Sequence, residues 1–483
     1  MMERAGYLPG LDGANVEYQV LNYTRGDLRV EVEVPALSDE QLVRVINTVR
    51  DARERILAPM RTDEIIAVID AVIGRLLDRD DPFRRKAEEL LPAVTGYDAE
   101  MVRLGLTDYL KTFRAPDLKR FVSEDFANPG LLDGFEAAPK GGFVRALGPP
   151  VLAHVWAGNV PALPLWSLAC GLLVKAGNVG KVASAEPLFA TWFAQLLAEV
   201  EPRLADCLAI VWWAGGDERA EQTVFGQSNV VLAYGGNDAL EAIRARVPIT
   251  TRYLPYGHKL SFAYVGAEAL DAQKAWQTAH RGAIDIMRYD QQGCYSPQLF
   301  FVERGGGVSA PEYSRYLANE LESFEKKHPR RALTLEEAGD VAAWRHREET
   351  ELLAHPDHEL LGSDSGQWTV VHTERADQLR PSGLNRTVRV VAVDEPAQAL
   401  ALLQPYRALL QTAGVALTPE RLLPVSDALG RAGVTRICAL GNMASPEAGW
   451  HHDGRFNLLD LVTMVEVEQS SVVSADALAP YAD

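Results

Sequence analysis

A cysteine in a polar, glycine-containing loop just ahead of an apolar strand is the residue of this chain best placed to act as a nucleophile. It is Cys294, in Asp290-Gln291-Gln292-Gly293-Cys294-Tyr295-Ser296-Pro297-Gln298, followed by the strand-like residues 299–302. A thiolate attacks carbonyl carbon readily, and a loop thiol is reachable where a core thiol is not. The other three cysteines, Cys170, Cys207 and Cys438, stand among apolar neighbours and read as packing. All four are far apart without CxxC spacing, which argues against a disulfide framework or a zinc knuckle and leaves each a free thiol. His355-Pro356-Asp357-His358 and His451-His452 have crude metal spacing but no third ligand in view, so no metal site is expected.

Polar residues at the ends of apolar strands form a second group. Asn159, in Ala157-Gly158-Asn159-Val160-Pro161, can aim its amide at a neighbouring site or close an Asx turn. Lys181, in Gly177-Asn178-Val179-Gly180-Lys181-Val182-Ala183-Ser184, lies on a short apolar strand. Burying an ammonium there costs on the order of several kcal/mol unless a polar or anionic partner meets it or the side chain snorkels from an edge. Gly215-Gly216 and Gly235-Gly236 each end an apolar strand. Glycines at a strand-to-helix crossing let a phosphate approach backbone and helix N-terminus, although a tight turn explains them equally, and neither pair is a GxGxxG motif.

The elements that must position these groups are legible in outline. Residues 17–34 alternate about Thr24-Arg25-Gly26-Asp27 as a hairpin, an apparent N-terminal ornament, and Ser38 with Gln41 opens a helical stretch running to about Phe126. From about Phe143, strands at 150–156, 179–183, 208–213 and 229–234 alternate with helices at 165–174, 187–200 and 238–246, the pattern of a parallel sheet covered by helices. A second series has strands near 260–265, 298–303, 368–372 and 387–393 and implies a second α/β unit. Residues 320–353, dense in both charge signs and including Lys326-Lys327-His328-Pro329-Arg330-Arg331, read as a solvated helix pair broken at Pro329, with a coenzyme A phosphate clamp as the sharper alternative.

Bulk properties narrow the function classes. The chain has 483 residues, a formal net charge of −18 and 47% hydrophobic residues, with a mean hydropathy of −0.09. That acidity disfavours nucleic acid or an anionic membrane as partner, because a phosphate array is repelled at long range. Residues 146–174 carry no charged side chain, yet Pro149, Pro150, Pro161 and Pro164 break the run, so no membrane span is expected. The N-terminal residues show neither a secretion signal nor a transit peptide, and a cytoplasmic location is the expectation.

Gly-Asn-Val-Pro, the strand lysine, Gly-Gly-Asp, Ala-Tyr-Gly-Gly and Gln-Gly-Cys-Tyr-Ser-Pro-Gln follow one another in an order and spacing that resemble the LuxC-type acyl-CoA reductase family, a branch of the aldehyde dehydrogenase superfamily. The likeness runs from about Gly141 to Glu468, with further hallmarks in residues 255–262 and 450–454. The resemblance implies an α/β, aldehyde dehydrogenase-like fold: two doubly wound α/β domains, a helical N-terminal region and a small oligomerisation segment. Residues 1–255 would hold the helical region and an NADP(H)-binding domain, 256–440 the catalytic domain, and 441–483 a C-terminal return with the oligomerisation strand near 461–468.

It also implies that Cys294 is the nucleophile, that Asn159 and the Cys294 backbone N–H form an oxyanion hole, and that Lys181 contacts the coenzyme ribose or phosphate, with the two glycine turns at the coenzyme. Ser184 stands where an NAD-specific relative commonly carries Glu, and a hydroxyl tolerates a 2′-phosphate that a carboxylate repels, so NADPH is the expected cofactor. Aldehyde-oxidising relatives carry a water-activating Glu where this chain has Leu254-Pro255-Tyr256-Gly257, and their ribose-binding Glu is not evident near residues 382–387. The expected reaction is reduction of an acyl-CoA or acyl-carrier thioester to the aldehyde by a homo-oligomer. The rivals are a coenzyme-A-acylating dehydrogenase running oxidatively, a cysteine acyltransferase without hydride chemistry, and a noncatalytic scaffold of reductase descent.

Overall fold

The computed structural model describes residues 1–355, 357–374 and 379–480; Pro356 of the histidine-bearing segment lies outside them. The chain divides into two compact units, one built from residues 1–95, 106–257 and the described residues from 447 onward, the other from 96–105 and the described residues of 258–446.

The first unit contains strands β1 (Met2–Arg4), β2 (Glu17–Arg25), β3 (Leu28–Ala36), β4 (Glu136–Ala137), β5 (Phe143–Leu147), β6 (Leu152–Val155), β7 (Asn178–Lys181), β8 (Leu208–Val211), β9 (Val230–Tyr234) and β10 (Arg252–Tyr256). Five of them form a parallel sheet in the order β10-β9-β6-β7-β8. Chain order reverses between β6 and β9, and ligands of such sheets bind outside the carboxyl ends at that switch. Val151, Val179, Ala209 and Val231 pack with Leu42, Val45 and Val49 of the helix Asp39–Ala52. Ser38 starts that helix with the expected capping box.

The hairpin expected at 17–34 is present as β2 and β3, but it is no ornament. Tyr23 on β2 donates its hydroxyl to the backbone oxygen of Ser184, and Tyr7 exchanges backbone hydrogen bonds with Ile210 of β8. The last strand among the described residues, β18 (Thr463–Val467), pairs antiparallel with β5.

The second unit is a seven-stranded sheet in the order β13-β14-β15-β12-β11-β16-β17, with β11 (Leu260–Val265), β12 (Pro297–Glu303), β13 (Glu359–Gly362), β14 (Thr369–Thr373), β15 (Thr387–Val393), β16 (Leu410–Ala416) and β17 (Arg436–Ala439). All pairings are parallel except β13 with β14. Side chains alternate between two cores: Ala263, Val265, Phe300 and Val302 face one, while Phe262, Tyr264, Leu299 and Phe301 face the other. Burial on both faces explains why these strands read as continuous apolar runs. Register shifts at the start of β11, against both β12 and β16. No helix among the described residues is long and apolar enough to cross a membrane.

Candidate functional site

In the first unit, seven of the candidate residues gather along one sheet edge, the carboxyl ends of its parallel strands. Asn159 follows β6, Lys181 closes β7, Ser184 follows it, Gly215-Gly216 follows β8 and Gly235-Gly236 follows β9. Gly158 allows the loop after β6 to reach the loop after β7, since a Cβ there would lie 2.6 Å from the Ala185 methyl.

The two glycine pairs are not equivalent. Gly216 has φ +82°, so the turn itself requires glycine, and the helix that follows is already capped by the Asp217 carboxylate on the Ala220 N–H at 3.1 Å. A Cβ on Gly235 would meet nothing nearer than 3.8 Å. Gly236 is the N-cap of the helix Asn237–Arg246 and supplies no side-chain cap. Packing does not demand Gly235, and the helix start beyond it is open to an anion. This edge fits a dinucleotide pyrophosphate at Gly235-Gly236.

Lys181 is half-buried, and its ammonium makes no hydrogen bond or ion pair among the described residues. Burial pushes its ammonium below the ordinary lysine pKa, with Glu221 pulling the other way. A poorly solvated, unpaired cation on this edge is what a phosphate or ribose hydroxyl would satisfy. Ser184 is exposed, and its Oγ accepts the Trp212 indole N–H at 3.1 Å, which leaves its own O–H to donate outward. Tyr23 and Trp212 thus fix the Ser184 loop, and neither was found from sequence, because each comes from an element remote in the chain.

β10 ends in Pro255-Tyr256, the place where the sequence resemblance leads to the expectation that a water-activating Glu is missing. The Tyr256 ring stacks between Tyr234 and His452, at centroid distances of 5.0 and 4.5 Å. Burial holds its phenol well above the ordinary tyrosine pKa, so it is neutral and no base at physiological pH.

Cys294 belongs to the second unit, between the turn Arg288–Gln291 and β12, at the amino ends of the strands. It is half-buried, whereas Cys170 and Cys207 are buried. Desolvation pushes the Cys207 thiol up to about 12 and Cys170 higher still, so those two are inert, as their apolar settings predicted. Cys438 differs from expectation: it is half-buried, because β17 is an edge strand.

The loop before Cys294 is held in a costly conformation. Tyr289, Asp290 and Gln291 have φ of 50°, 50° and 63°, and the facing Leu384, Asn385 and Arg386 have 54°, 52° and 66°. Such backbone persists only where surroundings over-determine it. Here Arg386 Nε meets Asp290 Oδ1 at 2.7 Å and its Nη1 meets Glu325 Oε2 at 2.6 Å, with Arg386 and Asp290 fully buried. Gln291 donates to the carbonyls of Pro297 and Thr387 at 2.8 and 3.0 Å and accepts from the Thr387 N–H at 3.0 Å.

Residues 382–387, where a ribose contact was not evident, therefore brace the cysteine loop. The basic run before them forms the expected helix pair broken about Pro329, Ala310–Lys327 and Leu335–Ala354, with Lys326 and Lys327 exposed, but Arg330 donates to the Asn385 carbonyl, and Arg331 pairs with Glu337 and reaches Asn385 Oδ1. The spacing of Asp290 and Gln291 to Cys294 was visible in the sequence, but their partners lie some hundred residues away, beyond the reach of local pattern.

Two further residues missed by sequence surround the thiol. Buried Gln411 donates Nε2–H to Cys294 Sγ at 3.3 Å. Ser261 donates to the Cys294 carbonyl at 2.8 Å and accepts the Thr412 N–H at 3.1 Å. Both sit where the register of β11 shifts against β16, a bulge that re-aims side chains. No group of residues among those described could hold a metal ion.

A model of the acyl-CoA reductase (LuxC) family matches residues 57–464. The chain belongs to this family. Among its relatives is the long-chain acyl-protein thioester reductase of Aliivibrio fischeri, 25% identical over 85% of this chain and 83% of that one. The fold of this LuxC-family member is that of the aldehyde dehydrogenases. Aldehyde dehydrogenase 21 from Physcomitrella patens superimposes with a TM-score of 0.73 at 16% identity, covering 97% of this chain and 98% of that one. The NADP-dependent glyceraldehyde-3-phosphate dehydrogenase of Bacillus halodurans C-125, complexed with NADP, gives a TM-score of 0.73 at 13% identity, covering 97% and 100%.

Proposed function

We propose that this protein reduces an acyl thioester to an aldehyde with NADPH as hydride donor, the first unit holding the coenzyme and the second the acyl group on Cys294. The observation that carries the reading is the Cys294 setting: a half-buried thiol on an over-determined loop with a buried amide donor 3.3 Å from its sulfur. Relatives named as acyl-protein thioester reductases support the thioester substrate.

In the proposed sequence, Cys294 Sγ bonds to the thioester carbonyl carbon and the donor's C–S bond breaks, its thiolate leaving to take up a proton. The Asn159 amide serves as a donor to the carbonyl oxygen while it carries negative charge. NADPH, when bound, supplies the hydride. The Cys294–carbon bond then breaks, returning the thiolate and releasing the aldehyde, so that one thioester, one NADPH and one proton give one aldehyde, one thiol and one NADP⁺. Gln411 stabilises the sulfur anion whenever it is free. Neutral Tyr256 at the end of β10 leaves water unactivated there, which favours hydride over hydrolysis.

Lys181 and the outward O–H of Ser184 suit a 2′-phosphate, and Gly235-Gly236 suits the pyrophosphate. The test is coenzyme oxidation followed at 340 nm with acyl-CoAs of increasing length and with an acylated carrier protein. Aldehyde formed in proportion to NADPH consumed supports the reading. Free acid without NADPH consumption would replace it by a hydrolase or acyltransferase.

A further inference from the structure

The amino ends of β6, β9 and β10, opposite the glycine turns, border a cavity of about 630 Å³ within the first unit. Four bases line it, Arg53, Arg145, Lys175 and Arg252, against one acid, Glu54, in a chain of net charge −18.

Three of the four have employment in the fold. Arg53 donates to the carbonyls of Lys175 and Gly148 at 2.7 and 2.8 Å and pairs with Glu54. Lys175 Nζ lies 2.7 Å from Asp133 Oδ1. Arg252 donates from Nη1 to the carbonyls of Asp460 and Val462, which leaves its charge without a carboxylate among the described residues.

Arg145 has no such role. Its Nε is buried with no hydrogen-bond acceptor, and it makes no ion pair among the described residues. It also stands close enough to Lys175 to repel it: that ammonium is held below its ordinary pKa first by burial, with Asp133 opposing and Arg145 and Arg61 adding repulsion. A guanidinium with an orphaned buried N–H, set among like charges, is unfavourable unless something absent from the chain itself completes it.

We propose that this cavity binds a phosphate dianion, free or carried as a monoester on a small molecule, with Arg145 as its principal ligand. The Arg145 fork matches phosphate oxygens in a way a lysine does not. Two guanidinium charges without carboxylates, Arg145 and Arg252, match a dianion better than a monocarboxylate. The site is distinct from the coenzyme edge, because it lies at the other ends of the same strands.

Isothermal titration at low ionic strength with inorganic phosphate, and separately with adenosine 3′,5′-bisphosphate, tests it on the full chain. With the coenzyme edge filled by saturating NADPH, wild type binds phosphate and Arg145→Gln weakens it by about tenfold or more. Arg145→Lys, which keeps the charge but loses the fork, falls between, and its melting temperature guards against misfolding of the first variant. Tighter binding of the bisphosphate identifies an ester, and equal binding identifies the free ion. No heat with either probe, or equal affinity in folded Arg145→Gln, would overturn the proposal; both mean an arginine satisfied by water alone.

Discussion

Gln411 Nε2 lies 3.3 Å from Cys294 Sγ, although 117 residues separate the two in the chain. A buried amide hydrogen directed at sulfur favours thiolate over thiol, and a hydrogen bond to a charged group contributes about 1.5–3 kcal/mol. Gln411→Leu keeps the volume and removes the donor. Alkylation of Cys294 by iodoacetamide at neutral pH is then expected to slow by about tenfold or more, and its pH profile to move alkaline. An unchanged profile in a folded variant would show that the contact is incidental.

Ser184 is the handle on coenzyme choice. Ser184→Glu places a carboxylate where a 2′-phosphate is proposed to sit, and the ratio of kcat/KM for NADPH over NADH is expected to fall by about tenfold or more. Trp212→Phe removes the indole donor from Ser184 Oγ and is expected to move the ratio in the same direction by less. Identical ratios in all three proteins would place Ser184 away from the ribose.

The Asp290–Arg386 pair holds the cysteine loop. Arg386→Met leaves a buried carboxylate uncompensated, a change that typically costs about 3–5 kcal/mol. The variant should melt earlier and lose the selective reactivity of Cys294. Adding Asp290→Asn should recover part of the stability, since the stranded charge is gone. A double variant no more stable than the single one would mean that the pair does not restrain the loop through charge.

How much of this was readable follows from where each signal resides. The strands 260–265 and 387–393 match β11 and β15 because both faces are buried and the apolar run is unbroken. β16 was not foreseen: Gln411, Thr412 and Gly414 interrupt its apolar pattern, and the first of those interruptions serves Cys294 through its side chain. Cys294 and the glycine turns were visible because loop chemistry is local. Arg386, Gln411, Ser261, Trp212 and Tyr23 were not, because their roles exist only through partners distant in sequence. In the basic run at 326–331 the helix break at Pro329 was legible, but the inward turn of Arg330 and Arg331 was not, for the same reason.

Acid sensitivity of the first unit should trace to His154. It lies between Ser167 Oγ and Asn178 Oδ1, each at 3.0 Å. Asn178 Nδ2 donates to the Ala176 carbonyl, so its Oδ1 faces His154 as an acceptor and the imidazole Nε2 carries the hydrogen. Burial pushes the His154 pKa down to about 4, with the Asn178 bond opposing. The unfolded histidine titrates near 6.5 and binds the extra proton first. Stability is therefore complete above about pH 6.5 and is lost as pH falls toward 4, by up to about 1.4 kcal/mol per pH unit.

Asp285 in the second unit, raised to about 7 by burial with the backbone N–H groups of Gly441 and Met443 opposing, has the opposite sense. Its contribution is complete below about pH 4 and is lost as pH rises toward 7. Between about pH 4 and 6.5 the two act against each other, so His154→Gln should make melting temperature rise less with pH there and Asp285→Asn should make it fall less. Slopes unchanged in both variants would contradict these assignments.

The central claim, that Cys294 carries the acyl group between thioester and aldehyde, is tested most directly by intact-mass and peptide mass spectrometry of the protein mixed with an acyl-CoA in the absence of NADPH. The account predicts a single acyl adduct on the Cys294 peptide, absent in Cys294→Ala and discharged as aldehyde when NADPH is added. An adduct on Cys438 instead, or aldehyde formation by Cys294→Ala, would contradict it.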